Sequence, residues 1–252
     1  MSIKKEIINK TVLLTINRPE KYNALNIATV ENLGNEIVQA QEDDSIRTII
    51  LTGSGDKSFV SGADIKEMEG LDSVGAKEYS LSGHKLMGLI ENSEKPVICA
   101  VNGFAFGGGC ELAIACHIRY CSENTLFALP EVGLGLLPGW GGTQRLKKIV
   151  GVGIANELIL SGKHINADRA LNINLVSKVV PLDTLIDQCL ELSSKINSNG
   201  PIALKNCISL VNNEKVVYND EIELFSELFS TADTKEGLSA FIQKRKADFK
   251  NK

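Results

Sequence analysis

Gly107-Gly108-Gly109-Cys110-Glu111 sets three residues without side chains beside a carboxylate, where an apolar run gives way to a helix predicted over residues 111–117. Bare backbone N–H groups at such a junction are placed to bind an oxyanion. Upstream, residues 97–101 (VICAV) read as a buried strand; downstream, residues 118–121 and 125–129 read as further strand pieces. The second of these runs into Pro130-Glu131, twenty positions after Glu111. Two carboxylates and an oxyanion site are the parts needed for chemistry next to a carbonyl.

Further toward the N-terminus, residues 12–16 and 48–52 are β-branched and apolar. Residues 27–43 between them repeat apolar side chains every three or four positions, at Val30, Leu33, Ile37 and Ala40. This βαβ rhythm predicts an α/β fold with a mostly parallel sheet and crossover helices. After Pro130 the pattern turns helical, over residues 141–150, 154–160, 167–172, 182–196, 202–213, 221–229 and 235–249, punctuated by Gly151, Gly162, Pro181 and Gly200-Pro201. The last third is therefore expected to form a lid or an oligomerisation arm.

At 252 residues, 43% hydrophobic and 23% charged, the chain has the composition of a soluble globular protein with one domain and an appendage. No apolar run reaches the roughly 18 residues a membrane span needs. Met1-Ser2-Ile3-Lys4-Lys5 leads straight toward the strand at 12–16 without an apolar signal core, so a cytoplasmic location is expected. Six cysteines form no Cys-x-x-Cys pair and find no histidine at zinc-finger spacing; they read as buried free thiols, and no metal site is expected. A net charge of -4 argues against nucleic-acid binding, although positive charge gathers in residues 243–252.

Other motifs fall away. Gly139-Trp140-Gly141-Gly142-Thr143 lacks the Lys-Ser/Thr of a phosphate loop, and Gly53-Ser54-Gly55 lacks the third spaced glycine of a dinucleotide fingerprint. The three histidines, His84, His117 and His164, stand apart from any serine or cysteine elbow. By contrast, Ser61-Gly62-Ala63-Asp64-Ile65-Lys66 follows a strand-like stretch at 57–60 and opens a predicted helix, offering a second amide donor. Two converging amides, each worth about 3 kcal/mol against developing charge, are how enzymes hold an enolate or tetrahedral oxyanion. Glu111, between Cys110 and Leu112-Ala113-Ile114-Ala115, is expected to be buried and to titrate abnormally.

Taken with Asn17-Arg18-Pro19, Asn23-Ala24-Leu25, Asn102-Gly103-Phe104-Ala105-Phe106, Pro130-Glu131-Val132-Gly133 and Gly141-Gly142-Thr143-Gln144-Arg145-Leu146, these motifs make the chain resemble the crotonase family, from about residue 3 to 252. The likeness is greatest to short-chain enoyl-CoA hydratases. It implies a spiral of ββα units with two near-perpendicular sheets over residues 1–195, and a helical trimerisation region over 196–252. It further implies a homo-oligomer, a hexamer made as a dimer of trimers, that adds water reversibly to short-chain trans-2-enoyl-CoA in fatty-acid metabolism. No cofactor is implied beyond the coenzyme A of the substrate.

Carried over from the resemblance, the amides of Ala63 and Gly108 form the oxyanion hole, and Glu111 and Glu131 flank one water. Lys21, Tyr22, Ala63, Asp64, Ile65, Lys66, Gly108 and Trp140 contact the CoA ester, and Phe241 and Lys244 reach it from a neighbouring subunit. Keeping both glutamates favours hydration over the double-bond isomerisation of relatives with one; an RNA-binding relative is a further alternative, with little basic surface to recommend it. His117 stands where relatives usually have Asp, and Ser61 where many have Ala, both expected to support the site and not to react. Trp140 occupies a position that is often smaller, and is expected to shorten the pocket toward C4 substrates.

Overall fold

The computed structural model describes residues 1–213, 215 and 217–252. In chain order its first half comprises β1 (Ile3–Ile8), β2 (Thr11–Ile16), α1 (Ile27–Glu42), β3 (Thr48–Gly53), β4 (Ser58–Val60), α2 (Ile65–Met68), α3 (Ser73–Glu91), β5 (Val97–Val101) and β6 (Phe104–Phe106). There follow α4 (Gly108–Ala115), β7 (Ile118–Ser122), β8 (Leu126–Ala128), α5 (Gly142–Val150), α6 (Val152–Ser161), β9 (Ile165–Asn166), α7 (Ala167–Asn172) and β10 (Lys178–Val180). Four helices close the chain: α8 (Leu185–Asn197), α9 (Pro201–Asn212), α10 (Tyr218–Leu228) and α11 (Ala232–Ile242).

Two sheets result, a six-stranded one in the order β1-β2-β3-β5-β7-β10 and a four-stranded one in the order β4-β6-β8-β9. Every pairing from β2 to β10 in the large sheet is parallel; only the β1–β2 hairpin is antiparallel. The central strands β3 and β5 are buried along their whole length because both faces are covered. Leu13, Ile50 and Ile98 stand in register on the face that α8 covers with Leu185 and Cys189. Leu14, Leu51 and Cys99 alternate to the opposite face and join the main core, which α1 completes with Leu33 and Ile37.

Two buried asparagines fasten the strand ends from which the site grows. Asn102, just past β5, donates to the carbonyls of Gly53 (2.8 Å) and Gly55 (2.7 Å) and accepts from the Gly53 amide (3.0 Å). Asn23, held in the left-handed region at φ 58°, donates to the carbonyls of Ser54 (2.9 Å) and Ser58 (2.8 Å). These bonds tie the chain between β3 and β4 to the turn before Leu25 and to the end of β5.

Three expectations are corrected. α3 has no counterpart in the sequence reading because only Gly83, Leu86, Met87 and Ile90 of its 19 residues are buried, leaving the apolar period legible in its last two turns alone. α4 begins at Gly108 and not at 111, so Glu111 lies in its first turn. The terminal helix stops at Ile242 and not near 249. Beyond it, Lys244 turns left-handed at φ 54°, and the tail folds back so that Asp233 accepts from the amides of Lys250 (2.6 Å) and Asn251 (2.9 Å). All six cysteines are free, five of them buried, and among the described residues no helix is long and apolar enough to cross a membrane.

Candidate active site

The glycine triplet lies where three elements meet with no space between them. Gly107, at φ 49° and ψ -122°, breaks β6 and donates its N–H to the Ala128 carbonyl of β8 (2.9 Å). A Cβ on Gly109 would stand 2.1 Å from the Val60 carbonyl of β4, one on Gly108 2.6 Å from the Trp140 ring, and one on Gly107 3.0 Å from a Glu131 carboxylate oxygen. Only glycine lets these backbones close up.

This approach exposes two amides to one space. Gly108 is the first residue of α4, where helical N–H groups have no intrahelical acceptor and the dipole favours negative charge. Ala63 pairs with Leu25 in an isolated bridge: the Leu25 amide donates to the Gly62 carbonyl (2.8 Å) and the Asp64 amide to the Leu25 carbonyl (2.8 Å). Among the described residues neither the Ala63 nor the Gly108 N–H has an acceptor, and the Ala63 nitrogen lies 3.5 Å from where a Gly108 Cβ would stand. Ala63 is thus positioned by this bridge and not by a helix start, since α2 begins two residues later and has only four residues.

Glu111, in the first turn of α4, is 2% exposed. One of its carboxylate oxygens accepts from the amides of Trp140 (2.8 Å) and Gly142 (2.8 Å). Burial raises its pKa to about 7, against the pull of those two amides; the charge of Glu131 pushes further upward. Glu131 opens a short 3-10 turn after β8, and burial raises its pKa too. Its Oε2 is inaccessible to solvent and has no hydrogen-bond partner within the described residues.

The loop that holds Glu111 is itself pinned. Ser80 of α3 donates to the Gly139 carbonyl (2.6 Å), and Arg145 donates to the Trp140 carbonyl (2.9 Å). Arg145 is clamped in turn by Glu91, through Nε (3.1 Å) and Nη2 (2.7 Å). Gly141 turns at φ 103° directly under that guanidinium, 2.2 Å from where a Cβ would fall. His117 accepts from the Val97 amide at Nδ1 (2.9 Å), so its Nε2 carries the proton and donates to the Glu91 carbonyl (3.1 Å); burial lowers its pKa. Its ring ties β5 to the end of α3 and stays outside the chemistry.

A cleft of about 460 Å³ collects Ala63, Gly108, Glu111, Glu131, Trp140 and Tyr79. Ile65 and Ser61 also line it. Tyr22 is exposed, and its carbonyl accepts from the Ser61 amide (3.1 Å), which sets the Lys21-Tyr22 turn beside the cleft without lining it. Asp64 instead pairs with Arg18 (3.2 Å), and Lys66 points outward on α2. Phe241, 85% exposed, and Lys244 lie outside this chain's cleft. Sequence reasoning missed Tyr79 and Ser80, both on the unforeseen α3. A larger cleft of about 760 Å³ lies by the C-terminal helices, where Arg47 is taken up by the carbonyls of Asn197 and Phe249 and Lys205 by Glu94. Among the described residues no cluster of His, Cys, Asp or Glu could hold a metal ion.

A family model described as enoyl-CoA hydratase/isomerase matches residues 6–252. A short-chain-enoyl-CoA hydratase of Clostridium acetobutylicum is 46% identical over 96% of this chain and 95% of its own length. A crotonyl-CoA hydratase of Syntrophomonas wolfei is 44% identical with the same coverage of both chains. The crystal structure of an enoyl-CoA hydratase from Bacillus anthracis superposes with a TM-score of 0.96 at 36% identity, covering 100% of both chains.

The Glu111 carboxyl yields a stability test. Its ordinary value is 4.5, so between there and about 7 only the folded state keeps the proton. Stability from this group is therefore full below about 4.5 and is lost as pH rises to about 7, by on the order of 3 kcal/mol. Urea unfolding at pH 5 and pH 8 should show the wild type losing most of this relative to Glu111→Gln. A difference between the two proteins that does not change with pH would contradict the burial argument.

Proposed function

The chain belongs to the enoyl-CoA hydratase/isomerase family and is an enzyme that hydrates short-chain enoyl-CoA thioesters; we propose that Glu111 and Glu131 act on one water beside an oxyanion hole formed by the amides of Ala63 and Gly108. The observation that carries this reading is the convergence of two unpartnered amides and two carboxylates on a single cleft.

A thioester acidifies C2, so holding its carbonyl oxygen as charge develops lowers the barrier without a metal or redox group. The Ala63 and Gly108 N–H groups receive that oxygen. Glu111, whose anion is supported by the amides of Trp140 and Gly142, takes a proton from water as the oxygen bonds to C3. The π electrons of the C2–C3 bond pass to the thioester as an enolate. Glu131, whose Oε2 has no donor to favour the anion, delivers a proton to C2 as the enolate collapses. Water thus adds to one face, and the reverse sequence dehydrates the 3-hydroxyacyl ester.

The isomerase alternative needs one carboxylate to shuttle a proton and leaves the second without work. Nucleic-acid binding gains nothing from the tail, where Arg245 pairs with Glu236 and Lys250 with Asp248 (both 2.6 Å).

We assign residues 196–252 to self-association. Phe225 and Phe229 pack edge to face at 5.3 Å yet remain exposed, as do Ile222, Phe241 and Ile242, a face that a second copy would cover. Phe241 and Lys244 would then reach the CoA ester of a neighbour.

Glu111→Gln and Glu131→Gln should each lower kcat on crotonyl-CoA by about a hundred- to ten-thousand-fold with KM little changed. Near-normal turnover in both variants would defeat the mechanism. Sedimentation at micromolar concentration should read a hexamer, and a monomer would contradict the role given to the C-terminal helices.

A further inference from the structure

The two amides that support Glu111 belong to peptide units that are each bound from behind. In a planar trans peptide the C=O and the N–H point in opposite directions, so a group that binds the one aims the other. The Gly142 amide shares its peptide with the Gly141 carbonyl, which accepts from the amides of Gln144 (3.0 Å) and Arg145 (2.9 Å) at the start of α5. Helix geometry fixes that unit. The next unit back is held at the Trp140 carbonyl by the Arg145 side chain (2.9 Å). The Trp140 amide shares its peptide with the Gly139 carbonyl, and there the donor is a single side chain from a different helix, the Ser80 hydroxyl of α3 (2.6 Å).

Serines inside helices commonly return their hydroxyl to a carbonyl of the preceding turn, as Ser82 does with Tyr79 (2.8 Å). Ser80 reaches out of α3 instead. The same stretch of α3 seats the indole that follows this peptide: a Cβ on Gly83 would fall 2.2 Å from the Trp140 ring, and the Tyr79 ring lies 5.5 Å from it. Beyond burial and the two amides, Glu131 from the turn after β8 pushes the proton affinity of Glu111 up, and Arg145 from α5 pulls it down. Tyr79 of α3 and Cys110 of α4 stay neutral beside it, because burial raises the phenol and the thiol. His84 of α3 approaches the capping loop at Gly141, 3.5 Å from where a Cβ would stand.

We propose that Ser80 is a positioning residue: its hydroxyl, bound to the Gly139 carbonyl, aims and polarises the peptide whose N–H supports the Glu111 carboxylate, and so sets how readily Glu111 takes up a proton. Hydrogen bonds in series strengthen one another, so the Ser80 bond acts on Glu111 without touching it. Its effect on turnover rests on the hydratase reading of the same cleft; its effect on the carboxyl does not.

Difference infrared spectra of the ligand-free protein read the Glu111 carboxyl, through the C=O stretch of the protonated acid that Glu111→Gln removes. In a Glu131→Gln background, where Glu111 titrates without its coupled partner, Ser80→Ala should raise the midpoint by about half to one pH unit, about a three- to tenfold gain in proton affinity. A midpoint that stays in place or falls would overturn the assignment. The rise should persist when His84→Gln is added, and its disappearance there would give the effect to His84 and overturn the assignment too. With Glu131 present, Ser80→Ala should lower kcat on crotonyl-CoA about three- to tenfold near pH 5, a loss that fades toward about pH 9, with KM little changed. A loss of equal size at every pH would mark a merely structural role and contradict the proposal. A protein that does not hydrate crotonyl-CoA but whose Glu111 midpoint still follows Ser80 would sink the reaction and leave the positioning role standing.

Discussion

The structure depends on a contact too close for a methyl group. At Gly107, Gly108 and Gly109 an added Cβ would meet a Glu131 oxygen, the Trp140 ring and the Val60 carbonyl, at 3.0, 2.6 and 2.1 Å. Because this distance is kept, the start of α4 sits against β4 and against the segment carrying Ala63. The Gly108 amide then faces a cleft instead of another wall. The first turn of α4 puts Glu111 where the Trp140–Gly142 loop can cap it. Side chains at the triplet would push these elements apart and dismantle the amide pair and the carboxylate pair together.

Two residues of one type are differentiated by what surrounds them. Glu111 is the more deeply buried, yet a pair of amides supports its charge. Glu131 keeps one oxygen sealed from solvent with no donor among the described residues. Burial raises both pKa values, against the pull of the Trp140 and Gly142 amides at Glu111 and of its own amide at Glu131. That asymmetry is held from outside the cleft: Arg145 anchors the capping loop, Glu91 anchors Arg145, and the His117 ring binds the Glu91 carbonyl. Preorganisation of this kind lets a site act on charge without rearranging as the charge appears.

Much of this was legible in the residues. The strands at β2, β3 and β5 are apolar on both faces, which fixed the parallel sheet, and the motif around Gly107 to Glu111 marked the strand-to-helix junction. Isolation of Glu111 among apolar residues foretold its burial. What escaped notice was information not carried by periodicity. α3 shows its solvent-facing side for most of its length, so Tyr79 and Ser80 gave no sign of reaching the cleft. The tail after Ile242 reads as a continued helix, but Asp233 and Glu236 bind its amides and Arg245 and fold it back. Ala63 reads as a helix start, while a single bridge to Leu25 places it.

Under the proposed mechanism the hydrogens of Ala63 and Gly108 meet on the thioester oxygen. Difference infrared spectroscopy of butyryl-CoA carrying carbon-13 at the thioester carbonyl reads this directly, since two hydrogen bonds to the oxygen weaken the C=O bond. The carbonyl band should move to lower frequency on binding than it shows in water. A band at its aqueous position or above it would mean that the amides do not hold that oxygen, and the proposed mechanism would fail.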